Sequence, residues 1–223
     1  MFVRYKGKQQ KVKKNKLNLR GKKITDITEI EGLSELTALE ELNLSKNNIS
    51  EIKGLKTLIN LKILKLNKNN IEKIEGLENL TNLEELWLNY NKINKIEGLD
   101  SHVKLNKLVL YANFISEIEG LDNLINLTSL DIKFNPFHEI KGLENLSNLK
   151  VLDLGFYNTI TNTSIKIGTT KVPKAMCDAL EIKIKASESF PRLNIQKLVE
   201  YCRHKKENKK DSPYSAWYDF KFQ

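Results

Sequence analysis

The sequence repeats itself every 22 residues. Glycines fall at positions 32, 54, 76, 98, 120 and 142, each with isoleucine two residues before it and leucine directly after it. A unit of this length cannot bury its own leucines, so neighbouring units must stack and share one apolar interior. The spacing therefore predicts a curved solenoid with a continuous apolar core.

The pattern L-x-x-L-x-L-x-x-N recurs in constant phase between the glycines. In the unit at residues 83–105, Leu83, Leu86 and Leu88 belong to a short strand, whose period-two alternation turns them inward and places Glu85, Trp87 and Asn89 on the solvent face. Asn91 follows, and stacked copies of its amide should form a buried ladder. Few residues remain for the convex side, which favours 3₁₀ or irregular structure.

This pattern resembles the leucine-rich repeat. The resemblance implies an α/β-type repeat solenoid, a right-handed horseshoe with a parallel concave β-sheet, an irregular or 3₁₀ convex side and a small helical C-terminal cap. The phrase at residues 77–99 resembles more particularly the 22-residue repeats of the leucine-rich-repeat regulatory subunit of protein phosphatase 1, and the similarity covers about residues 30–157. That family binds proteins through its concave face, which makes a phosphatase a candidate partner.

Four regions follow from the repeat boundaries and the composition. They are a basic N-terminal segment (1–16), a solenoid of about seven repeats (17–157), a capping region (158–210) and an aromatic tail (211–223). The first repeat is longer by three residues around 28–30. A polar connection with a short alternating piece at 165–167 is expected after the repeats, then a helix start at 170–173, a segment at 182–184 of uncertain type, and a helix at 194–206 that covers the open end of the core. The tail either docks or binds a partner.

Charge is distributed unevenly along the chain, whose net charge is +9. Residues 1–23 carry ten basic and no acidic side chains, residues 24–157 carry fourteen basic and twenty-one acidic ones, and residues 158–223 carry thirteen and seven. An acidic body argues against a nucleic-acid groove along the repeats. The two basic ends are interpreted as solvated tails, with phosphate binding by Lys6–Lys23 or Lys205–Lys210 as the alternative.

Residues on the solvent face of the strands are not fixed by the repeat, so their identity is informative about function. They form three columns across the array. The first runs Asn18, Asn43, Lys65, Trp87, Val109, Asp131, Asp153; the second Arg20, Ser45, Asn67, Asn89, Tyr111, Lys133, Gly155; the third Gly21, Lys46, Lys68, Tyr90, Ala112, Phe134, Phe156. A cluster of aromatic rings flanked by charge is typical of a binding hot spot, although cross-strand packing could also account for it. The predicted partner-binding residues are Trp87, Tyr90, Tyr111, Asp131, Lys133, Phe134, Asp153 and Phe156.

No catalytic, metal or cofactor motif is recognisable. His102 occupies a column of leucines and is interpreted as a tolerated, partly buried substitution, while Cys177 and Cys202 are expected to be reduced thiols. Without a readable export signal or membrane segment, the chain is expected to be cytoplasmic and monomeric. The sequence thus predicts a non-catalytic scaffold for a protein partner, with a nucleic-acid-associated adaptor as the alternative.

Overall fold

The solenoid predicted from the repeat spacing is confirmed in the computed structural model, which describes residues 1–137, 142–153, 156–161, 164–167 and 170–173. Twelve strands lie in the described part of the chain. In chain order they are β1 (Phe2–Tyr5), β2 (Lys8–Lys11), β3 (Lys16–Asn18), β4 (Glu41–Asn43), β5 (Ile63–Lys65), β6 (Glu85–Trp87), β7 (Lys107–Val109), β8 (Ser129–Asp131), β9 (Val151–Asp153), β10 (Phe156–Thr161), β11 (Ser164–Ile167) and β12 (Thr170–Pro173).

The concave surface is one parallel sheet of seven strands, β3 to β9, in sequential order. The central leucine of each strand pairs in register with that of the next, for example Leu64 with Leu86 and Leu86 with Leu108. These leucines are buried, and they join the isoleucines and leucines of the turns in one continuous core. Stacking thus supplies the burial that a single repeat lacks.

The convex side is built from short turns, as predicted. The described residues contain two 3₁₀ turns, Ile27–Glu29 and Leu33–Glu35. The first accommodates the three extra residues of repeat one, and the side chain of Asp26 caps it by accepting from the backbone N–H of Thr28. At the glycine between strand and turn, a side chain would not fit: Gly98 has a φ of +68°, and a Cβ there would lie 2.4 Å from the carbonyl oxygen of Ile74.

The predicted ladder of buried asparagines joins each turn to the one before it. The Nδ2 atom of Asn91 donates to the carbonyls of Leu66 (3.1 Å) and Leu88 (2.8 Å), and its Oδ1 accepts from the N–H of Ile71 (3.1 Å). The same bonds recur at Asn47, Asn69, Asn113 and Asn135.

Two further ladders of amide side chains run along the exposed turns and were not predicted. Asn82 and Asn126 donate to the carbonyls of Ile59 and Val103, residues one repeat earlier. A parallel set includes Asn123, which donates to the carbonyl of Asp100. The signal was present in the sequence, since these asparagines also recur at 22-residue spacing.

The N-terminal segment is an ordered cap, which corrects its interpretation as a solvated tail. Strands β1 and β2 form an antiparallel hairpin. Its inner face buries Val3 and Tyr5, and Arg4 exchanges backbone hydrogen bonds of 3.0 and 2.9 Å with Glu31. The two apolar residues were overlooked because they alternate with basic ones, which remain exposed.

After β9 the parallel sheet ends, and β10 to β12 form a separate antiparallel sheet. The polar connection predicted for this region therefore contains strands, and the residues predicted to start a helix, 170–173, are strand β12. The predicted helix at 194–206, the aromatic tail and both cysteines lie outside the described residues.

Substitution of Asn91 by alanine should destabilise the fold, because it leaves the carbonyls of Leu66 and Leu88 and the N–H of Ile71 without these partners. We expect the free energy of unfolding to fall by about 2–4 kcal/mol. Asn70→Ala, at an exposed neighbouring position, is the control and should change it by less than about 0.5 kcal/mol. Urea denaturation measures both; equal effects would contradict the structural role of the ladder.

His102 should make stability depend on pH. It is fully buried, rather than partly buried as predicted, and burial lowers the pKa of its imidazole below the ordinary value of 6.5. The unfolded chain therefore binds the proton more readily, so stability is complete above about pH 6.5 and is lost as pH falls through and below that value. From pH 7.5 to 5.5 the loss should be on the order of 1 kcal/mol.

His102→Leu restores the residue found at 58, 80, 124 and 146 and is the matched comparison. The difference in unfolding free energy between wild type and variant, measured by urea denaturation, should widen on acidification. A difference independent of pH would show that His102 does not titrate with folding.

Candidate binding surface on the concave face

The strand register places the first column of candidate residues side by side. Trp87 on β6 pairs with Val109 on β7, which pairs with Asp131 on β8, and Asp131 pairs with Asp153 on β9. The Trp87 indole is half-buried, and its Nε1 donates to Oε2 of Glu85 at 3.0 Å. The Nζ atom of Lys107 lies 4.3 Å from the ring centroid. These contacts orient Trp87 in the unbound protein.

Tyr90 and Tyr111 form an edge-to-face pair next to Trp87. Their ring centroids are 5.0 Å apart at an interplanar angle of 75°. The ammonium of Lys68 lies 4.9 Å from the Tyr90 ring, and that of Lys133 lies 5.2 Å from the Tyr111 ring. Burial, and to a smaller extent the neighbouring Tyr90, raises the pKa of the Tyr111 hydroxyl, which therefore stays neutral at physiological pH. The pair presents a rigid surface with polar tips.

Two carboxylates share one ammonium at the far end of the cluster. Lys133 Nζ lies 2.5 Å from an oxygen of Asp153 and 3.5 Å from one of Asp131. Burial raises the pKa of Asp131. Burial would lower the pKa of Lys133, but the hydrogen bond to Asp153 and the charge of Asp131 outweigh it, so that pKa is raised. With all three ionised, this end of the surface carries a net negative charge.

The third column has an unusual backbone conformation. Lys46, Lys68, Tyr90, Ala112 and Phe134 all have φ between +55° and +61°, and Gly21 has +66°. We call these six residues the αL column. The N–H groups of the first five in chain order donate to carbonyls of the next repeat, as Tyr90 does to Tyr111 at 3.0 Å. The column therefore continues the hydrogen-bonded stacking of the sheet.

Large side chains in the αL column are costly for the free protein. A left-handed conformation costs a residue other than glycine roughly 1–2 kcal/mol, and glycine occupies this position in the first repeat. Tyr90 and Phe134 nevertheless stand there, 47% and 46% exposed. Their rings are thus displayed at a strained position where the fold itself would favour glycine.

Some candidate residues are placed differently from the prediction. Phe156 begins β10, which pairs with β11 in the antiparallel sheet, so its strand is not part of the concave parallel sheet. Asn89 and Val109, assigned to the solvent face, are only 4% exposed. Phe114, which was not predicted, is 61% exposed two residues after the αL position. The sequence feature that could have indicated this residue is that position 114 is apolar, whereas two other repeats have asparagine at the equivalent positions 48 and 70.

The candidate metal ligands among the described residues are His102 and the Asp and Glu side chains. Over these ranges, no group of three or more His, Cys, Asp or Glu side chains is arranged to hold a metal ion. The buried His102 contacts the carbonyl of Leu77 through Nε2 at 3.1 Å and faces the core. Within the same part of the chain, no helix has the length and apolar character needed to cross a bilayer. The aromatic cluster is suited to recognition of a surface or peptide.

Comparison with solved structures returned several bacterial proteins. A leucine-rich-repeat protein of Leptospira interrogans is 30% identical, with a TM-score of 0.51, over 55% of this chain and 32% of that one. Internalin C2 of Listeria monocytogenes is 25% identical, with a TM-score of 0.48, over 66% of this chain and 76% of that one. Internalin F of the same species is 26% identical, with a TM-score of 0.30, over 63% and 60%. The chain thus spans about a third of the Leptospira protein.

A search of curated protein sequences found no match. The family model described as "Leucine Rich repeats (2 copies)" matches three overlapping stretches, residues 37–79, 59–101 and 81–123. These stretches contain the parallel strands β4 to β7 and the turns between them. The repeating unit of this chain is therefore a leucine-rich repeat, and its parallel sheet is the inner surface of a leucine-rich-repeat solenoid.

Proposed function

We propose that this chain is a non-catalytic scaffold that binds a protein or peptide on its concave face. Leucine-rich-repeat proteins are typically protein-interaction scaffolds. The observation that carries the proposal here is the exposure of Tyr90 and Phe134 at strained backbone positions. Glycine, lysine and alanine occupy the same backbone position in other repeats, so the repeat does not require aromatic rings there, and their exposure supports a role in binding.

The chemistry of the cluster fits an interface centre. Tryptophan and tyrosine contribute large apolar areas with few rotatable bonds and are enriched among residues that dominate binding energy. Trp87, Tyr111 and Phe134 are the main anchors in this proposal, with Tyr90, Asp131, Lys133 and Asp153 around them and Phe156 beyond the sheet. Trp87, Tyr90 and Tyr111 are already held by ring, hydrogen-bond and cation contacts. Binding would therefore lose little side-chain entropy.

A phosphatase is the candidate partner that the resemblance at residues 77–99 suggests. The surface would then hold a phosphatase catalytic subunit and contribute no catalytic group of its own. Purified protein phosphatase 1 catalytic subunit, applied to the immobilised chain, tests this specific partner. Failure to bind would remove the phosphatase and leave the scaffold proposal to its own test.

The alternative, a nucleic-acid-associated adaptor, is favoured by one observation at the N-terminus. Of the ten basic side chains in residues 1–23, Lys16 is the one that forms an ion pair with a described residue. The exposed cations of the hairpin therefore remain able to neutralise phosphate. This function predicts RNA binding whose affinity falls steeply as salt is raised.

Replacement of Trp87, Tyr111 and Phe134 together by alanine should abolish partner capture from native lysate while the chain remains folded. The reason is that these rings supply most of the apolar contact area of the cluster. Affinity purification with mass spectrometry measures capture, and circular dichroism measures folding. The control variant, Ile59→Ala with Ile125→Ala, removes two exposed apolar side chains outside the three columns and should retain the partners. Undiminished capture by the triple variant would contradict the proposal.

A further inference from the structure

The αL column divides into a basic half and an aromatic half. In chain order, after Gly21, it carries Lys46 and Lys68, then Tyr90, Ala112 and Phe134. Both lysines are exposed, and neither forms an ion pair with a residue that the structure describes. The solenoid body has a net negative charge, and these two lysines lie in adjacent repeats of the same column without an acidic partner among the described residues.

The two other lysines of the three columns form ion pairs. Lys65 binds Glu41 at 2.7 Å, and Lys133 is held between Asp131 and Asp153. Lys68 contacts only the face of the Tyr90 ring among the contacts resolved, with its Nζ 4.9 Å from the centroid. The positive charge of Lys46 and Lys68 is thus available to an anionic group and adjoins the aromatic half directly.

Ala112 leaves a gap between two aromatic side chains. Backbone hydrogen bonds join successive members of the column to adjacent repeats, so neighbouring members lie about one strand spacing, roughly 4.8 Å, apart. Tyr90 and Phe134 are two spacings apart, about 10 Å. An apolar side chain packed between two others needs roughly 7–8 Å. The spacing of these two backbone positions is therefore sufficient for one bulky side chain of a partner above Ala112, bordered by the Tyr111 ring, whose centroid is 5.0 Å from that of Tyr90.

The same spacing fixes the distance between the two halves. From Ala112 to Lys68 is about 10 Å and to Lys46 about 14 Å, and an extended chain advances roughly 3.3 Å per residue. An acidic group that reaches either lysine is therefore about three or four residues from the side chain in the gap.

We propose that the αL column binds an extended partner segment with an acidic residue three or four positions from a bulky apolar residue. The acidic group contacts Lys46 and Lys68, and the apolar side chain fills the gap between Tyr90 and Phe134 above Ala112. This inference rests on the proposed protein-binding function and specifies the chemistry of the partner. A peptide is favoured over a nucleic acid because the acidic end formed by Asp131 and Asp153 would repel a longer phosphate chain.

The probe is a phage-displayed library of random dodecapeptides, selected on the full chain and counted before and after selection. Selected peptides should be enriched in Asp or Glu three or four residues from Trp, Phe or Leu. A representative peptide, labelled with a fluorophore, then serves for affinity measurements by fluorescence anisotropy with each variant.

Charge reversal tests the basic half. Lys46→Glu with Lys68→Glu should lower the affinity for the peptide at least tenfold, and the affinity of the wild-type chain should fall as the salt concentration is raised. The matched control, Lys56→Glu with Lys73→Glu, makes the same change in net charge at exposed positions outside the three columns and should leave the affinity within about twofold. Equal weakening by the two variants would overturn the proposal.

Filling the gap tests the aromatic half. Ala112→Leu places a branched side chain where the partner side chain would lie, and the neighbouring repeats show that this backbone position accepts larger residues. We expect at least tenfold weaker binding with an unchanged thermal unfolding curve. If this variant unfolds, Ala112→Ser replaces it, because serine keeps the gap but places a polar hydroxyl at its base. Ala112→Ser should lower the affinity for peptides that carry an apolar residue at this position. Unchanged affinity in a folded variant would overturn the proposal.

The outcomes also separate this inference from the function on which it rests. Peptides that need Trp87, Tyr111 and Phe134 but lack the acidic spacing would overturn the inference and leave the scaffold function intact. Selection of no peptide that depends on those rings would overturn both. If an oligo(dT) 20-mer binds the chain, displaces the peptide and is equally sensitive to Lys46→Glu and Lys68→Glu, the proposal of a peptide ligand is overturned in favour of a nucleic acid.

Discussion

The buried asparagine that bridges consecutive turns is the interaction on which the rest of this structure depends. The side-chain amide of each asparagine binds backbone atoms of two neighbouring repeats. In Asn91 the NH₂ group donates to the carbonyls of Leu66 and Leu88, and the oxygen accepts from the N–H of Ile71. Backbone groups at the end of each strand lie inside the solenoid, where an unpaired group is costly. By satisfying them, the ladder permits leucines to stack in register and keeps the strands parallel. On the exposed turns, two further ladders of asparagine side chains also donate hydrogen bonds to backbone carbonyls of the preceding repeat.

The leucine core does not depend on most side chains of the concave face. The core is filled from the opposite face of each strand, so most residues at the columns can vary without loss of core burial, and the buried Asn89 and Val109 are exceptions. The left-handed backbone at Tyr90 and Phe134 is less favourable for these residues than it would be for glycine. The surface therefore combines a rigid support with rings held in place before a partner arrives, and its charge changes sign from Lys46 and Lys68 to the Asp131–Lys133–Asp153 group.

Sequence reasoning succeeded for features that repeat and failed where the repetition ends. The strands, the asparagine ladder, the lengthened first repeat and the irregular convex side all follow from a period that is read many times. The hairpin at the N-terminus was missed because Val3 and Tyr5 are two apolar residues among lysines, a pattern that occurs once. The strand at Thr170–Pro173 was interpreted as a helix start for a similar reason, since a proline and a threonine alone do not distinguish the two.

The sequence by itself determined that the chain stacks 22-residue units and which strand positions point into the core, because leucine spacing reports burial directly. Only the tertiary structure decided how those residues meet. The left-handed backbone of the αL column, the burial of Asn89 and Val109, and the sharing of Lys133 by two aspartates depend on distances between repeats. Local sequence cannot specify such distances, since each side chain is placed by neighbours that are 20 or more residues away along the chain.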